Sequence, residues 1–77
     1  MPRAYVLINV ESGGEDEVLL ALEKINDVEE SYFSYGVYDI IIKVKAESME
    51  KLKEMVTSKI RSLNKVRSTL TLIIMKD

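Results

Sequence analysis

The constraint that most narrows what this chain can become is the two-sided apolar character of its strand-forming segments. Asp39-Ile-Ile-Ile-Lys-Val-Lys45 is apolar on both alternation classes as far as Ile42. Arg3-Ala-Tyr-Val-Leu-Ile-Asn-Val10 carries Tyr5 and Leu7 on one class and Val6, Ile8 and Val10 on the other. A strand with one face in water alternates apolar and polar side chains, whereas a strand covered on both faces need not. Arg3–Val10 is too short for a helix and rich in β-branched residues and reads as a strand with something packed on each side, and Asp39–Lys45 reads as an interior strand.

The chain has little with which to supply that cover. Its 77 residues make one domain, 1–77, and a chain of this size buries only ~60% of the surface its unfolded form exposes. Small domains compensate with disulfides, metals or oligomerisation. The sequence holds no Cys and no His, which excludes disulfides, zinc sites of the usual kind and His-ligated haem. Oligomerisation is the compensation that remains. The same absences remove the commonest acid–base group and the strongest nucleophile, so the expectation is a non-enzymatic chain with no catalytic residue, metal site or cofactor.

Charge and hydropathy exclude further classes. The net charge is −2 and the basic residues are scattered, whereas a duplex-binding domain presents a basic face, so no direct nucleic-acid binding is expected. The start, Met-Pro-Arg-Ala-Tyr, lacks the apolar core of a signal peptide, and no run reaches the length of a membrane span. That reads as a soluble, cytoplasmic protein with no membrane partner. Cys, Gln and Trp are missing while 31% of residues are charged, a combination that leans towards a thermophile.

In chain order, the strand 3–10 ends at Ser12-Gly13-Gly14, and Glu15, Asp16 and Glu17 then suit the positive end of a helix dipole. Val18, Leu19, Leu22 and Ile25 recur on one helical face, and Asn26-Asp27 closes it. Val28 to Tyr35 and Tyr38 to Ala46 form a hairpin bent at Tyr35-Gly36-Val37, where the glycine supplies a positive φ. Ser48 reads as the N-cap of a second helix whose apolar face is Met49, Leu52, Met55, Val56, Ile60 and Leu63. Asn64-Lys65 closes it, and Val66 to Met75 is the last strand. The order β-α-β-β-α-β, with right-handed crossovers, predicts an α+β ferredoxin-like fold: a four-stranded antiparallel sheet with both helices on one face. The other face is then apolar and uncovered, and a homodimer with sheets back to back resolves the conflict.

Here the chain resembles a known family, the effector-binding (RAM) domain of the Lrp/AsnC transcription regulators. The resemblance covers essentially the whole chain. It is carried by Ala4-Tyr-Val-Leu-Ile-Asn-Val10, by Gly36-Val-Tyr-Asp39 with the following Ile-Ile-Ile-Lys-Val44, by Ile60-Arg-Ser-Leu63 and by Val66-Arg-Ser-Thr-Leu-Thr-Leu-Ile73. A helix-turn-helix normally precedes this domain; here the chain starts at the first strand, so a stand-alone member without the DNA-reading element is expected. The resemblance implies dimers that join into higher rings, often octamers, with a small effector such as an amino acid in clefts where dimers meet. Its implied partners are full-length Lrp/AsnC regulators. The effector-binding residues carried over by motif are Tyr32, Ser34, Gly36, Tyr38, Asp39, Ser68, Thr69 and Thr71. Tyr35 stands where the family often has Thr or Ser, and a phenol there changes both pocket volume and hydrogen bonding.

Chemistry supports some of these roles, and structural readings stand beside each. Asp39 can accept from a ligand ammonium, and Thr hydroxyls and turn N–H groups can donate to a carboxylate. Gly36 serves a tight turn with or without a ligand. Asp39 can instead hydrogen-bond the turn backbone, Thr69 and Thr71 suit any strand, and Tyr32 and Tyr38 suit a sheet or an interface. An ACT-like module controlling an amino-acid enzyme shares the fold and ligand class. A small ferredoxin-like enzyme, or an assembly module that binds nothing small, are the remaining alternatives.

Overall fold

The structure, a computed structural model, describes residues 1–74. Strand β1 (Arg3–Val10) is followed by α1 (Glu15–Glu23), β2 (Val28–Phe33), β3 (Ile40–Lys45), α2 (Met49–Met55), a π-helical segment (Val56–Ile60) and β4 (Val66–Ile74). The strands form one antiparallel sheet in the order β2-β3-β1-β4. This is the ferredoxin-like βαββαβ arrangement, with β1 and β3 in the interior. Met75, expected in the last strand, lies outside the described residues. No helix of the described residues is long and apolar enough to cross a membrane.

The core lies between the helices and one face of the sheet. Ala4, Val6, Ile8 and Val10 of β1, and Ile40, Ile42 and Val44 of β3, are buried there against Val18 and Leu22 of α1, Leu52 and Met55 of α2, and Val56 and Ile60. On β1 and β3 this is the period-two alternation of a pleated strand. The opposite face is apolar but uncovered. Register places Tyr32, Ile41, Leu7 and Leu70 in one row across all four strands, with Glu30, Lys43, Tyr5 and Leu72 in the next. Tyr5, Tyr32, Leu70 and Leu72 are all exposed on it. The Lys43 ammonium sits 5.9 Å from the centre of the Tyr5 ring, within cation–π range.

Local chemistry explains the element ends. Ser48 caps α2 by accepting from Lys51 N–H at 3.2 Å, as its position predicts. The three acids do occupy the first turn of α1, but its cap is Gly14, with no side-chain hydrogen bond. A Cβ on Gly14 would stand 2.8 Å from the Lys65 side chain. Lys65 adopts a positive φ of 75°, accepts from Glu11 N–H at 2.8 Å and pairs through Nζ with Glu17 at 3.0 Å. The loops before α1 and before β4 are thereby locked together.

The second helix departs from the regular spacing read in the sequence. From Val56 it widens into a π turn, with Arg61 N–H donating to the Val56 carbonyl five residues back at 2.9 Å. Ser58 Oγ donates to the Glu54 carbonyl at 2.7 Å and Ser62 Oγ to the Ser58 carbonyl. Hydroxyls that take i−4 carbonyls compete with the regular ladder and distort helices.

Ile42 is fully buried on an interior strand. Ile42→Ala should cost about 2–5 kcal/mol, the range for truncating a buried Ile. Urea unfolding followed by circular dichroism checks it, and a cost below about 1 kcal/mol would contradict this account of the core.

Candidate effector site

The site builds from the end of β1 outwards. The hairpin strands stop earlier than their composition suggests, at Phe33 and Ile40, leaving a six-residue connection, 34–39. Asp39 closes it. Its carbonyl accepts from Ser34 N–H at 2.8 Å, and its own N–H donates to the Ile8 carbonyl at 2.9 Å. Its Oδ2 accepts from Val10 N–H at 2.8 Å. The carboxylate thus bonds the last residue of β1, not the turn it follows. This tie also meets a need of the neighbouring ladder, because pairing with β4 shifts register between Asn9 and Val10. At the tip, Gly36 holds φ 130° with open space around it, a conformation that L side chains resist.

Beside Asp39 lies a cavity of about 360 Å³ lined by Asn9, Val10, Asp39, Arg67 and Ser68. Asn9 Nδ2 donates to Ser68 Oγ at 3.2 Å across the β1–β4 pair. Asp39 Oδ1 and the exposed Arg67 guanidinium have no partner among the described residues. One cavity therefore presents a carboxylate acceptor, a guanidinium and two neutral polar groups. That set matches a zwitterion: an ammonium at Asp39 and a carboxylate at Arg67.

The residues expected at an effector site divide into three places. Asp39 and Ser68 line the cavity together, and Ser34, Gly36 and Tyr38 belong to the connection that ends at Asp39. Tyr32 lies on the uncovered face of edge strand β2, its hydroxyl donating to Glu30 at 2.8 Å. That hydrogen bond, and then the Glu30 charge, raise the phenol pKa above its ordinary value. Thr69 and Thr71 point to the helix side of the sheet. They border a second groove, of about 450 Å³, between β4 and the widened end of the second helix. Ser68 alternates with them, so one chain cannot gather all three in one pocket. Asn9 and Arg67 are the cavity residues that sequence reasoning missed. Asn9 is the lone amide in an otherwise apolar strand interior, and that irregularity was available to find it. Arg67 is one of several scattered cations and had no such mark.

Known proteins share this fold closely. The family model described as the Lrp/AsnC ligand binding domain matches residues 3–77. The regulatory protein AsnC of Escherichia coli (strain K12) is 36% identical over 59 residues, covering 77% of this chain and 39% of that protein. The HTH-type transcriptional regulator FL11 of Pyrococcus furiosus is 32% identical over 73 residues, covering 95% of this chain and 48% of that protein. The chain thus spans less than half the length of these two relatives. Among solved structures, that of FFRP-DM1 superposes with a TM-score of 0.95 at 35% identity, covering 97% of this chain and all of that one. From the match along 3–77 and these likenesses, the chain belongs to the Lrp/AsnC ligand-binding domain family.

Proposed function

We propose that this chain is a small-effector sensor of the Lrp/AsnC type, that its effector is an amino acid, and that it acts on transcription without contacting DNA itself. The observation that carries the reading is the cavity at the end of β1, where Asp39 and Arg67 offer opposite charges to one small molecule. A free amino acid is the simplest ligand that uses both. Arg67 takes the carboxylate in a bidentate pair, Asp39 Oδ1 takes the ammonium, and Asn9 and Ser68 hold the remaining polar atoms. Tyr38 and the connection 34–39 border the side-chain end and select among amino acids. Thr69 and Thr71, on the other face, reach such a ligand only where a second copy brings that face to it.

In this proposal the working unit is a dimer formed through the uncovered sheet face. The row Tyr32-Ile41-Leu7-Leu70 provides a continuous apolar strip across all four strands, and a two-fold axis sets it against its own copy. Dimers join into rings, up to octamers, and mixed assembly with full-length Lrp/AsnC regulators in the cytoplasm carries the effector's influence to DNA. The mechanism is population shift: a ligand that binds one assembly state more tightly raises that state's share by its differential affinity. No step requires a catalytic group.

Three measurements test the proposal. In isothermal titration against the proteinogenic amino acids, at least one should bind, and Arg67→Gln should weaken it about tenfold or more by removing a charge-assisted pair. Failure of every amino acid to bind would sink the sensor reading. Asp39→Asn keeps an oxygen for Val10 N–H but loses the charge, so it should fold normally and lose the amino acid. Asp39→Ala loses both, and should also destabilise the chain by about 1–3 kcal/mol by orphaning that N–H. Equal ligand affinity in wild type and Asp39→Asn would assign Asp39 a structural role alone. Leu7→Asp places a charge in the centre of the apolar strip, and light scattering should then show a monomer; an unchanged mass would place the dimer contact elsewhere.

A further inference from the structure

The face that the proposed dimer covers is not apolar throughout. Beside the strip Tyr32-Ile41-Leu7-Leu70 runs the row Glu30-Lys43-Tyr5-Leu72, which sets an ammonium on an interior strand. Lys43 is half-buried even in one copy. It has no ion-pair partner among the described residues. Glu30, its register neighbour on β2, takes the Tyr32 hydroxyl instead. What Lys43 has is the Tyr5 ring, 5.9 Å from ammonium to ring centre. A second copy over this face strips water from that ammonium, and a desolvated cation without a new partner is costly. The dimer must give Lys43 something in return.

We infer that the partner's Tyr5 supplies it, so that Lys43 and Tyr5 decide which chain pairs through this face. The inference rests on the sheet-face dimer proposed above. A two-fold axis parallel to the strands, between β3 and β1, lays each row on its own copy with the strand order reversed. Leu7 then meets the partner's Ile41, Tyr32 meets the partner's Leu70, and Lys43 meets the partner's Tyr5. A two-fold along the rows, midway between these two, would set Lys43 over the partner's Ile41, where the charge loses water and gains no acceptor. The first axis therefore satisfies the apolar strip and the ammonium together.

Around that axis two ammoniums and two rings alternate. Each cation lies between its own ring and the partner's, and the rings keep the like charges apart. Packed sheets stand ~10 Å apart, a gap that a lysine stem and a phenol ring fill from opposite sides. A ring face attracts a cation without carrying a charge that must itself be desolvated, as a carboxylate would. The partner this face fits is thus a sheet with the same lysine–aromatic pair in the same register. A second copy always meets that condition. A full-length regulator meets it only with a cation and an aromatic at the matching positions, and an acidic residue in place of the cation excludes it.

Dilution followed by analytical ultracentrifugation gives the dimer dissociation constant of each variant. Tyr5 and Lys43 lie outside the core, so their variants should fold, which circular dichroism checks. Tyr5→Leu keeps an apolar side chain but loses the ring, and should weaken the dimer about tenfold or more. Tyr5→Phe keeps the ring face and should stay within about threefold of wild type. Lys43→Met removes the charge that needs a ring, so adding Tyr5→Leu to it should cost less than about threefold. Equal losses from Tyr5→Leu with and without Lys43→Met would make Tyr5 a structural contact and overturn the inference. Glu30→Gln should leave the dimer unchanged; a loss of about tenfold there would make a carboxylate the acceptor and overturn it too. A monomeric wild type would sink the sheet-face dimer itself, whereas a dimeric wild type with additive losses sinks this inference alone.

Discussion

The structure depends on one constraint: β1 is hydrogen-bonded along both edges, by β3 and β4, yet the chain has helices enough to cover only one face of the sheet. Position in the sheet makes β1 the scaffold. Its even-numbered residues, Ala4 to Val10, are the floor of the core. Its odd-numbered residues, Tyr5 and Leu7, are the centre of an apolar surface with nothing over it. The sequence holds neither Cys nor His to reinforce a single-sided core, and in the proposed dimer a second copy supplies the missing cover.

The same strand positions the chemistry. Beyond Asn9 the pairing with β4 shifts register, and the Val10 N–H turns instead to the Asp39 carboxylate. That bond ties the hairpin connection to the sheet and fixes one carboxylate oxygen while leaving the other open to the cavity. Arg67 stands opposite because it occupies the irregular position at the start of β4. The structural hydrogen bond uses only one carboxylate oxygen of Asp39, so the structural reading and the proposed ligand-binding one are compatible in a single side chain.

On the outside, the second helix gives up regular geometry where Ser58 and Ser62 take backbone carbonyls for their own hydroxyls. The distortion widens the helix end over edge strand β4 and leaves a groove between them. In the proposed function the sheet face and the effector cavity lie on separate surfaces, so a ligand at the cavity need not disturb the sheet-face dimer.

Much of the fold was legible in the sequence because it rests on periodicity. Short β-branched apolar runs marked β1 and β3, the spacing of Val18 and Leu22 and of Leu52, Met55 and Val56 marked the helices, and Ser48 and Gly36 marked a cap and a turn through local backbone preferences. Two-sided apolarity in Leu7 and Ile41 announced the uncovered face. What the sequence did not determine is everything that depends on which residues meet across the sheet. The bond from Asp39 to Val10, the pairing of Asn9 with Ser68, the cavity shared by Asp39 and Arg67, and the separation of Ser68 from Thr69 and Thr71 are set by strand order and register. Neither order nor register is a local property. Each follows from packing the whole core at once, and for that reason only the tertiary structure could decide them.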